Sequence, residues 1–123
     1  MKRLFVLLLA AIVSFPAVAL EHARVVDGDT IRVDGAPVRV MGLDAPELKG
    51  RCPAEIAAAR RAKQRMAELI AGGVTLRPHG RDRYRRLLAV VTDSRGRDVA
   101  AVMIHERLAR PYRGERRLSW CGA

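Results

Sequence analysis

The sequence predicts a β-barrel with helices, an α+β chain whose five short strands form a Greek-key barrel of the OB type. Three observations predict this fold: five short strand-like segments bounded by turn signals, a helical pattern after the third segment, and a second helical pattern near the C-terminus. A generic α+β sandwich is the alternative. With 123 residues, the chain is expected to form one domain.

The first three strands are predicted to form a meander at residues 23–26, 30–33 and 38–40. Asp27-Gly28 and Asp34-Gly35 are tight-turn signals between them. In the third strand Arg39 lies between Val38 and Val40, so the two valines share one face and the arginine takes the other.

A helix is predicted to begin at Pro53, because proline suits the first helical position and Glu55 can reach back to open backbone donors. Gly72-Gly73 is expected to end it. Its apolar face repeats at helical spacing and comprises Ile56, Ala59, Ala62, Met66, Leu69 and Ile70.

The remaining strands are predicted at residues 74–76 and 87–92, the second buried because its apolar run is continuous. A polar loop at residues 80–86 lies between them. Asp98 is the predicted N-cap of the second helix, with Val99 and Met103 among its inward residues.

Residues 1–19 have the pattern of a cleaved signal peptide, with a basic start, an apolar run at 4–13 and small residues at 17–19. A membrane anchor is the alternative, but the ten-residue run is shorter than the roughly 20 residues of a spanning helix. We therefore expect a mature chain that starts at Leu20, a single domain over 20–123, and a periplasmic or secreted location.

The formal charge is +10, and cleavage would lower it to +8 because Lys2 and Arg3 would be lost with no acid. Arginine dominates the remaining cations, and its planar fork binds phosphate at two points. The charge and its arginine bias predict DNA and/or RNA as the partner. We also expect a monomer with no stable membrane insertion after signal cleavage. A merely solvated basic surface is the alternative.

The chain has two cysteines, Cys52 and Cys121. In an exported chain such a pair predicts a disulfide, and two unpaired buried thiols are the alternative. The bridge would close a loop of about 70 residues, worth roughly 4 kcal/mol in the chain-entropy model.

Acidic residues are few and are placed at turns and strand ends within residues 25–47. Asp29 begins the second predicted strand and Asp44 follows the third, so the two can meet if these strands are antiparallel neighbours. Two carboxylates of this kind, with backbone carbonyls and water, suit calcium. Glu47 lies nearby and can polarise an attacking water.

Taken together, the motifs of the chain closely resemble those of the staphylococcal nuclease (thermonuclease) family. The matching segments are residues 26–31, 39–47, 82–89, 98–99 and 108–112, so the resemblance covers nearly all of the predicted mature chain. It implies an OB-fold barrel and calcium-dependent hydrolysis of phosphodiester bonds in DNA or RNA.

The resemblance also implies a role for individual residues. The metal ligands would be the carboxylates of Asp29 and Asp44 and the backbone carbonyl of Ala45. Glu47 would activate water, with Arg39 and Arg86 clamping the phosphate. Substrate contacts would come from Arg83, Tyr84 and Tyr112.

Two arginines stand where the family usually has glycine, Arg85 and Arg107. If either position requires a positive φ, the side chain costs on the order of 1 kcal/mol. The family's longer C-terminal helix is missing or shortened here, and the Cys52–Cys121 bridge is expected to take over its anchoring role.

Other functions are less well supported by the sequence. A non-catalytic OB-fold module that binds nucleic acid in the cell envelope is the main alternative, and a structural envelope domain is another. The three histidines lack zinc-ligand spacing. Glu47-Leu-Lys49 imitates a motif of restriction-type nucleases, but that class needs a longer chain.

Overall fold

The computed structural model describes residues 11–15 and 19–122. Its elements are β1 (Ala23–Val25), β2 (Thr30–Val33), β3 (Ala36–Val40), β4 (Leu43–Asp44), α1 (Pro53–Ile70), β5 (Val74–Arg81), β6 (Leu87–Asp93), α2 (Val99–His105) and β7 (Arg110–Pro111). Most of the predicted signal peptide lies outside the described residues, and its residues 11–15 are exposed without regular structure. No helix in the described ranges has the length and apolar character to cross a membrane.

The main sheet has five strands in the order β1-β2-β3-β6-β5. The pairing of β3 with β6 is parallel and the other pairings are antiparallel. Asp34 and Gly35, with φ of 49° and 78°, join β2 to β3 through the left-handed conformations that a tight hairpin requires. The predicted α+β class and the meander are therefore confirmed.

The predicted five strands form one sheet, but this sheet is not closed into a barrel. Its two edges meet at an isolated bridge between Glu21 and Val74, where each backbone N–H donates to the other residue's carbonyl. A separate two-stranded sheet pairs β4 with β7. Helix α1 consequently follows a fourth strand, not the third, because the chain turns at Met41-Gly42 and pairs briefly again.

Helix α1 begins at Pro53 as predicted, and Glu55 does reach back. Its carboxylate accepts hydrogen bonds from the backbone N–H groups of Arg51 (2.8 Å) and Glu47 (3.4 Å), which ties the start of the helix to the loop after β4. Asp98 caps α2 by accepting from the N–H of Ala101 at 3.3 Å. Both predicted helix starts are confirmed.

The core lies between the sheet and the two helices. Its largest fully buried side chains come from every layer and include Ile31, Leu43, Met66, Ile70 and Met103. Of the predicted face of α1, Ile56 is only partly buried, whereas the other five residues are buried.

The last two strands of the main sheet differ from their prediction. β5 extends to Arg81, past the predicted end at residue 76, because an irregularity between Pro78 and Arg81 accommodates the proline. β6 is buried only at alternate positions, since Leu88 and Val90 face an open groove instead of the core. The continuous apolar run was therefore a misleading sign of full burial.

Cys52 and Cys121 form the predicted disulfide, with their Cα atoms 6.0 Å apart. Cys52 is the N-cap residue of α1, so the bridge fixes the end of the chain to the start of that helix. Between β7 and this bridge the chain forms a C-terminal segment, residues 112–122, in which the described residues include no helix. The family's C-terminal helix is thus absent from this stretch, as expected.

Candidate active site

Arg39 and Asp29 form a buried pair at one end of the β2–β3 hairpin. They are 9% and 7% exposed, and Arg39 Nη2 lies 3.5 Å from Asp29 Oδ2. The arginine also donates to the backbone carbonyls of Val40 (2.7 Å) and Leu43 (2.9 Å). Because these carbonyls lie on both sides of the turn after β3, Arg39 links the start of β2 to β4.

The Asp27-Gly28-Asp29 turn packs directly against the loop after β4. A Cβ atom on Gly28 would lie 2.7 Å from the Cβ of Ala45 and 2.9 Å from that of Ala62, so only glycine fits this close approach. The contact brings the turn that carries Asp29 next to Ala45, although the two are far apart in sequence. The predicted pairing of the two strands is confirmed, because β2 and β3 are antiparallel neighbours and the Val40 N–H donates to the Asp29 carbonyl at 2.9 Å. The packing of Gly28 on Ala45 adds a second contact between the two segments.

Asp27 adds a second carboxylate beside that of Asp29 at this end of the hairpin. Its Oδ1 accepts from the backbone N–H of Asp29 at 3.1 Å. Burial, reinforced by the negative charges of Asp29 and Glu47, raises the pKa of Asp27 to about 6. The sequence places Asp27 in the same short motif, but residue type alone assigned it only to a turn.

Asp44, Ala45 and Glu47 converge on one guanidinium group, that of Arg117. A nitrogen of Arg117 lies 2.6 Å from Asp44 Oδ1, and Nη2 lies 2.7 Å from Glu47 Oε1 and 3.3 Å from the Ala45 carbonyl oxygen. Trp120 completes the arrangement by donating from Nε1 to Asp44 Oδ2 at 3.2 Å. Two predicted metal ligands and the predicted water-activating residue therefore share a cationic partner.

The guanidinium of Arg117 is held in its charged state by these neighbours. Burial on its own would lower the pKa of Arg117, but hydrogen bonds to Glu47 and Asp44 outweigh it and raise the pKa above its ordinary value. Sequence reasoning missed Arg117, since it belongs to none of the recognised motifs. The one available signal was the predicted disulfide, which brings residues near Cys121 close to the start of α1.

Arg86, just before β6, contacts the first residue of β2. Its Nε donates to Asp82 Oδ2 at 2.7 Å, and its Nη1 donates to Thr30 Oγ1 at 3.2 Å. Since Thr30 Oγ1 in turn donates to Asp29 Oδ1 at 3.1 Å, a chain of hydrogen bonds connects Arg86 to the carboxylate of Asp29. The two predicted phosphate-clamping arginines, Arg39 and Arg86, therefore flank the same aspartate.

An open groove of about 1310 Å³ runs past these two arginines. The predicted substrate-contacting residues line it. Tyr84 is 65% exposed, with the guanidinium carbons of Arg83 and Arg86 at 5.0 and 5.3 Å from its ring centroid. Tyr112 has Arg39 at 5.8 Å from its ring centroid.

A family model described as Staphylococcal nuclease homologue matches residues 37–119. The chain belongs to the staphylococcal nuclease homologue family. No curated protein is similar enough to count as a match.

Membership of the staphylococcal nuclease homologue family confirms the resemblance and indicates a nuclease with a nucleic-acid substrate. The match begins within β3, so it includes the loop after β4, the turn before β6 and most of the C-terminal segment. Asp29 precedes the matched residues. It is joined to the matched part by the pairing of β2 with β3, by its contact with Arg39 and by the packing of its turn on Ala45.

The structure does not gather the predicted carboxylates of this nuclease homologue into one tight cluster. Within the described residues, the group of three or more His, Cys, Asp or Glu side chains whose ligand atoms lie within 4.8 Å of one another is Cys52, Glu55 and Cys121. Both sulfurs of that group are in the disulfide, so it offers no thiolate for a metal ion.

Arg117 lines the groove and also contacts Asp44, Ala45 and Glu47. The groove is lined by Arg39, Arg86 and Arg117, whereas Asp29, Asp44, Ala45 and Glu47 are not among its lining residues. The acidic side of the site and its arginine-rich side are therefore adjacent, with the Arg117 side chain belonging to one and contacting the other.

Proposed function

We propose that the protein is an exported calcium-dependent nuclease that hydrolyses phosphodiester bonds in DNA and/or RNA by metal-assisted attack of water. The observation that carries the proposal is the convergence of oxygen atoms from Asp44, Ala45 and Glu47 on a single cationic group, beside a groove lined by arginines. Cation-assisted phosphodiester hydrolysis requires oxygen donors that attract a cation beside a surface that can bind an anion. The carboxylates of Asp44 and Glu47 and the arginine-lined groove offer both.

The available donors fit calcium in their chemistry. Asp29, Asp44 and the Ala45 carbonyl offer hard oxygen atoms, and Asp27 adds further negative charge close to them. When bound there, the ion would supply positive charge to the phosphate oxygens and would favour ionisation of water. Burial is the main cause of the raised pKa of Asp27, and the charges of Asp29 and Glu47 add to it; a bound cation would relieve that added repulsion.

Arg39 and Arg86 are proposed to stabilise the negative charge that builds up on the phosphoryl oxygens during attack. Both are held by hydrogen bonds before substrate arrives, Arg39 by backbone carbonyls and Arg86 by Asp82. Such preorganised donors cost no reordering during the reaction, and losing one typically lowers the rate about a hundredfold or more. Glu47 is proposed as the general base that takes the proton of the attacking water.

The groove is proposed to hold the nucleic acid on either side of the scissile bond. Tyr84 is largely exposed and lies between Arg83 and Arg86, so its ring is free to stack on a base while the arginines contact the backbone. Tyr112 is proposed to act similarly beside Arg39.

The finer fold and location are also proposals. We infer an OB-type Greek-key barrel that is incompletely closed, supported by the parallel β3–β6 pairing and by the bridge between the two sheet edges. The disulfide supports an oxidising compartment, hence export to a periplasmic or secreted location. The monomeric state stays a prediction. Sequencing of the mature N-terminus tests the signal peptide, with Leu20 expected first and a retained Met1 contradicting it.

The decisive experiment incubates purified protein with plasmid DNA and with RNA, in calcium and then in excess chelator. We expect cutting in calcium and none in chelator, because the proposed hydrolysis needs a bound calcium ion. Cutting that persists in chelator would refute the metal mechanism. Glu47→Gln should keep the fold and the affinity for nucleic acid and lose most turnover, by about a hundredfold or more. Unchanged turnover would reject Glu47 as the base.

A non-catalytic nucleic-acid-binding module is the second candidate. The observation that favours it is the contact between Arg117 and Glu47, since a paired carboxylate is less available as a base. A gel shift of nucleic acid without any cutting, at all calcium concentrations, would select this alternative.

A further inference from the structure

The C-terminal segment, residues 112–122, lies against the acidic side of the site and is attached to the rest of the fold near both of its ends. At one end β7 pairs with β4, with Arg110 opposite Asp44. At the other end the Cys121 sulfur is bonded to Cys52, at the start of α1. Since both ends are attached, the residues between them are confined near the loop after β4.

Arg110 of β7 also holds the end of this segment. Arg110 stacks on the ring of Trp120, with its guanidinium carbon 3.7 Å from the ring centroid, and donates to the Ser119 carbonyl at 2.9 Å. Trp120 in turn donates to Asp44. These contacts hold the chain on both sides of Arg117, so its guanidinium is presented to the carboxylates at a high effective concentration.

Arg117 meets the same oxygen atoms that are proposed to meet calcium. It contacts the Asp44 carboxylate and the Ala45 carbonyl, which are two of the three proposed ligands. It also contacts Glu47, the proposed general base. A guanidinium and a calcium ion cannot both occupy contact distance from these oxygens, because like charges repel and the donors are shared. Binding of either one therefore excludes the other.

We propose that Arg117 is an intramolecular competitor of the calcium ion, and that the disulfide-fastened C-terminal segment thereby sets the calcium concentration at which the site fills. The inference rests on the proposed function, since it concerns the same ligands. If only one tenth of the molecules have Arg117 released, the apparent affinity for calcium is lowered about tenfold. The segment also explains why Arg117 both lines the groove and contacts the carboxylates.

The test measures calcium binding by isothermal titration calorimetry with calcium chloride and protein whose disulfide is intact. Arg117→Ala is expected to bind calcium about tenfold more tightly than the unsubstituted protein. Arg116→Ala is the matched control, because it removes the same charge from the adjacent exposed residue. It should change the affinity less than about twofold, since charges exposed to solvent are strongly screened.

A second experiment tests the role of the disulfide and leaves Arg117 unsubstituted. The double substitution Cys52→Ser and Cys121→Ser frees the end of the segment, and it should tighten calcium binding in the same direction as Arg117→Ala. In the unsubstituted protein, calcium should also change the fluorescence of Trp120, the only tryptophan, because Trp120 donates to Asp44, a ligand that calcium would share. Circular dichroism establishes that each variant is folded, and the double variant is read at a temperature below its unfolding transition.

The outcomes separate the two proposals. Equal calcium affinity in the unsubstituted protein, Arg117→Ala and the double variant would overturn the competition and leave the calcium site standing. Calcium binding by none of the folded variants would overturn both the competition and the calcium site. Equal tightening by Arg116→Ala and Arg117→Ala would show that net charge, and not occupation of the ligands, controls the affinity, and would also overturn the inference.

Discussion

At the scale of single residues, the two arginines that stand where the family usually has glycine have the strained backbone that was expected of such positions. Arg85 and Arg107 have φ of 63° and 59°, in the left-handed region that side chains with a Cβ rarely adopt. Arg107 follows α2 and is exposed, so its cost is one of backbone conformation and not of packing. It is therefore the cleaner of the two positions for an experiment.

Arg107→Gly is predicted to stabilise the protein by up to about 1 kcal/mol, because relief of the left-handed strain exceeds the extra entropy that glycine adds to the unfolded chain. Arg107→Ala is the matched control, since it removes the same side chain but keeps the Cβ. Thermal or denaturant unfolding of the two variants measures the difference. If alanine stabilises as much as glycine, the side chain and not the backbone strain is responsible.

At the scale of elements, β6 is flanked by two turns built on the same plan, one of which positions a proposed catalytic residue. In each, an aspartate accepts from backbone N–H groups two and four residues on and pairs with an arginine four residues on: Asp82 with Arg86, and Asp93 with Arg97. The fourth residue of each turn has positive φ. Asp93 and Arg97 of the second turn do not line the groove, so substitutions there measure the contribution of this kind of turn to stability without affecting the proposed site.

Asp93→Asn is predicted to lower the free energy of unfolding by about 1–2 kcal/mol at pH 7, through loss of charge-assisted hydrogen bonds from a buried carboxylate. Burial acts to raise the pKa of Asp93, but the bonds from Arg97 and Arg95 lower it overall. The folded state therefore binds fewer protons, so this stabilisation is complete above the ordinary value of about 3.9 and is lost as the pH falls through the lowered pKa.

The measurement is denaturant unfolding of the two proteins from pH 7 down to pH 3, where their difference should shrink. Asp34→Asn serves as the control, because Asp34 is exposed in a turn, and its substitution should change stability by less than about 0.5 kcal/mol at any pH. A difference for Asp93→Asn that stays constant with pH would contradict the assignment of its stabilising effect to the charged form.

The two helix starts and the turn at Asp82 show why some elements could be predicted from the sequence and others could not. Pro53, Glu55 and Asp98 act through local backbone chemistry, so their helix starts could be predicted from residue type. The turn at Asp82 was predicted only as a polar loop, because arginine at a left-handed position gives no local signal for it. Where residue type opposes the backbone conformation, sequence patterns lose their information.

At the scale of the whole molecule, the site combines distant segments in ways that patterns only partly indicate. The hairpin of Asp29 and Arg39 followed from alternation and turn signals. Asp44 and Glu47 followed from the placement of acidic residues at strand ends and from the family resemblance. The position of Arg117 depends on the path of the chain after β7, which has no repeating pattern and is directed by the disulfide and by the Trp120 contacts. Tertiary structure alone places that residue in the site.

The basic groove predicts how the molecule as a whole responds to salt. It is lined by arginines from β3, β5, the turn before β6 and the C-terminal segment, so bound nucleic acid would contact several elements at once. If three to five phosphates of a single strand are neutralised, the logarithm of the binding constant should fall with the logarithm of salt with a slope of roughly −2 to −3.5. Fluorescence anisotropy with a labelled single-stranded oligonucleotide, in chelator to prevent cutting, measures this slope.

Arg77→Ala should make that slope shallower by roughly 0.7, because Arg77 extends from β5 into the groove and one phosphate contact would be lost. Arg60→Ala removes the same charge from an exposed position on α1 outside the groove lining, and its slope should equal that of the unsubstituted protein. Equal slopes for all three proteins would place the phosphate contacts elsewhere on the surface. Equal shallowing in both variants would mean that net charge, and not the groove, governs binding.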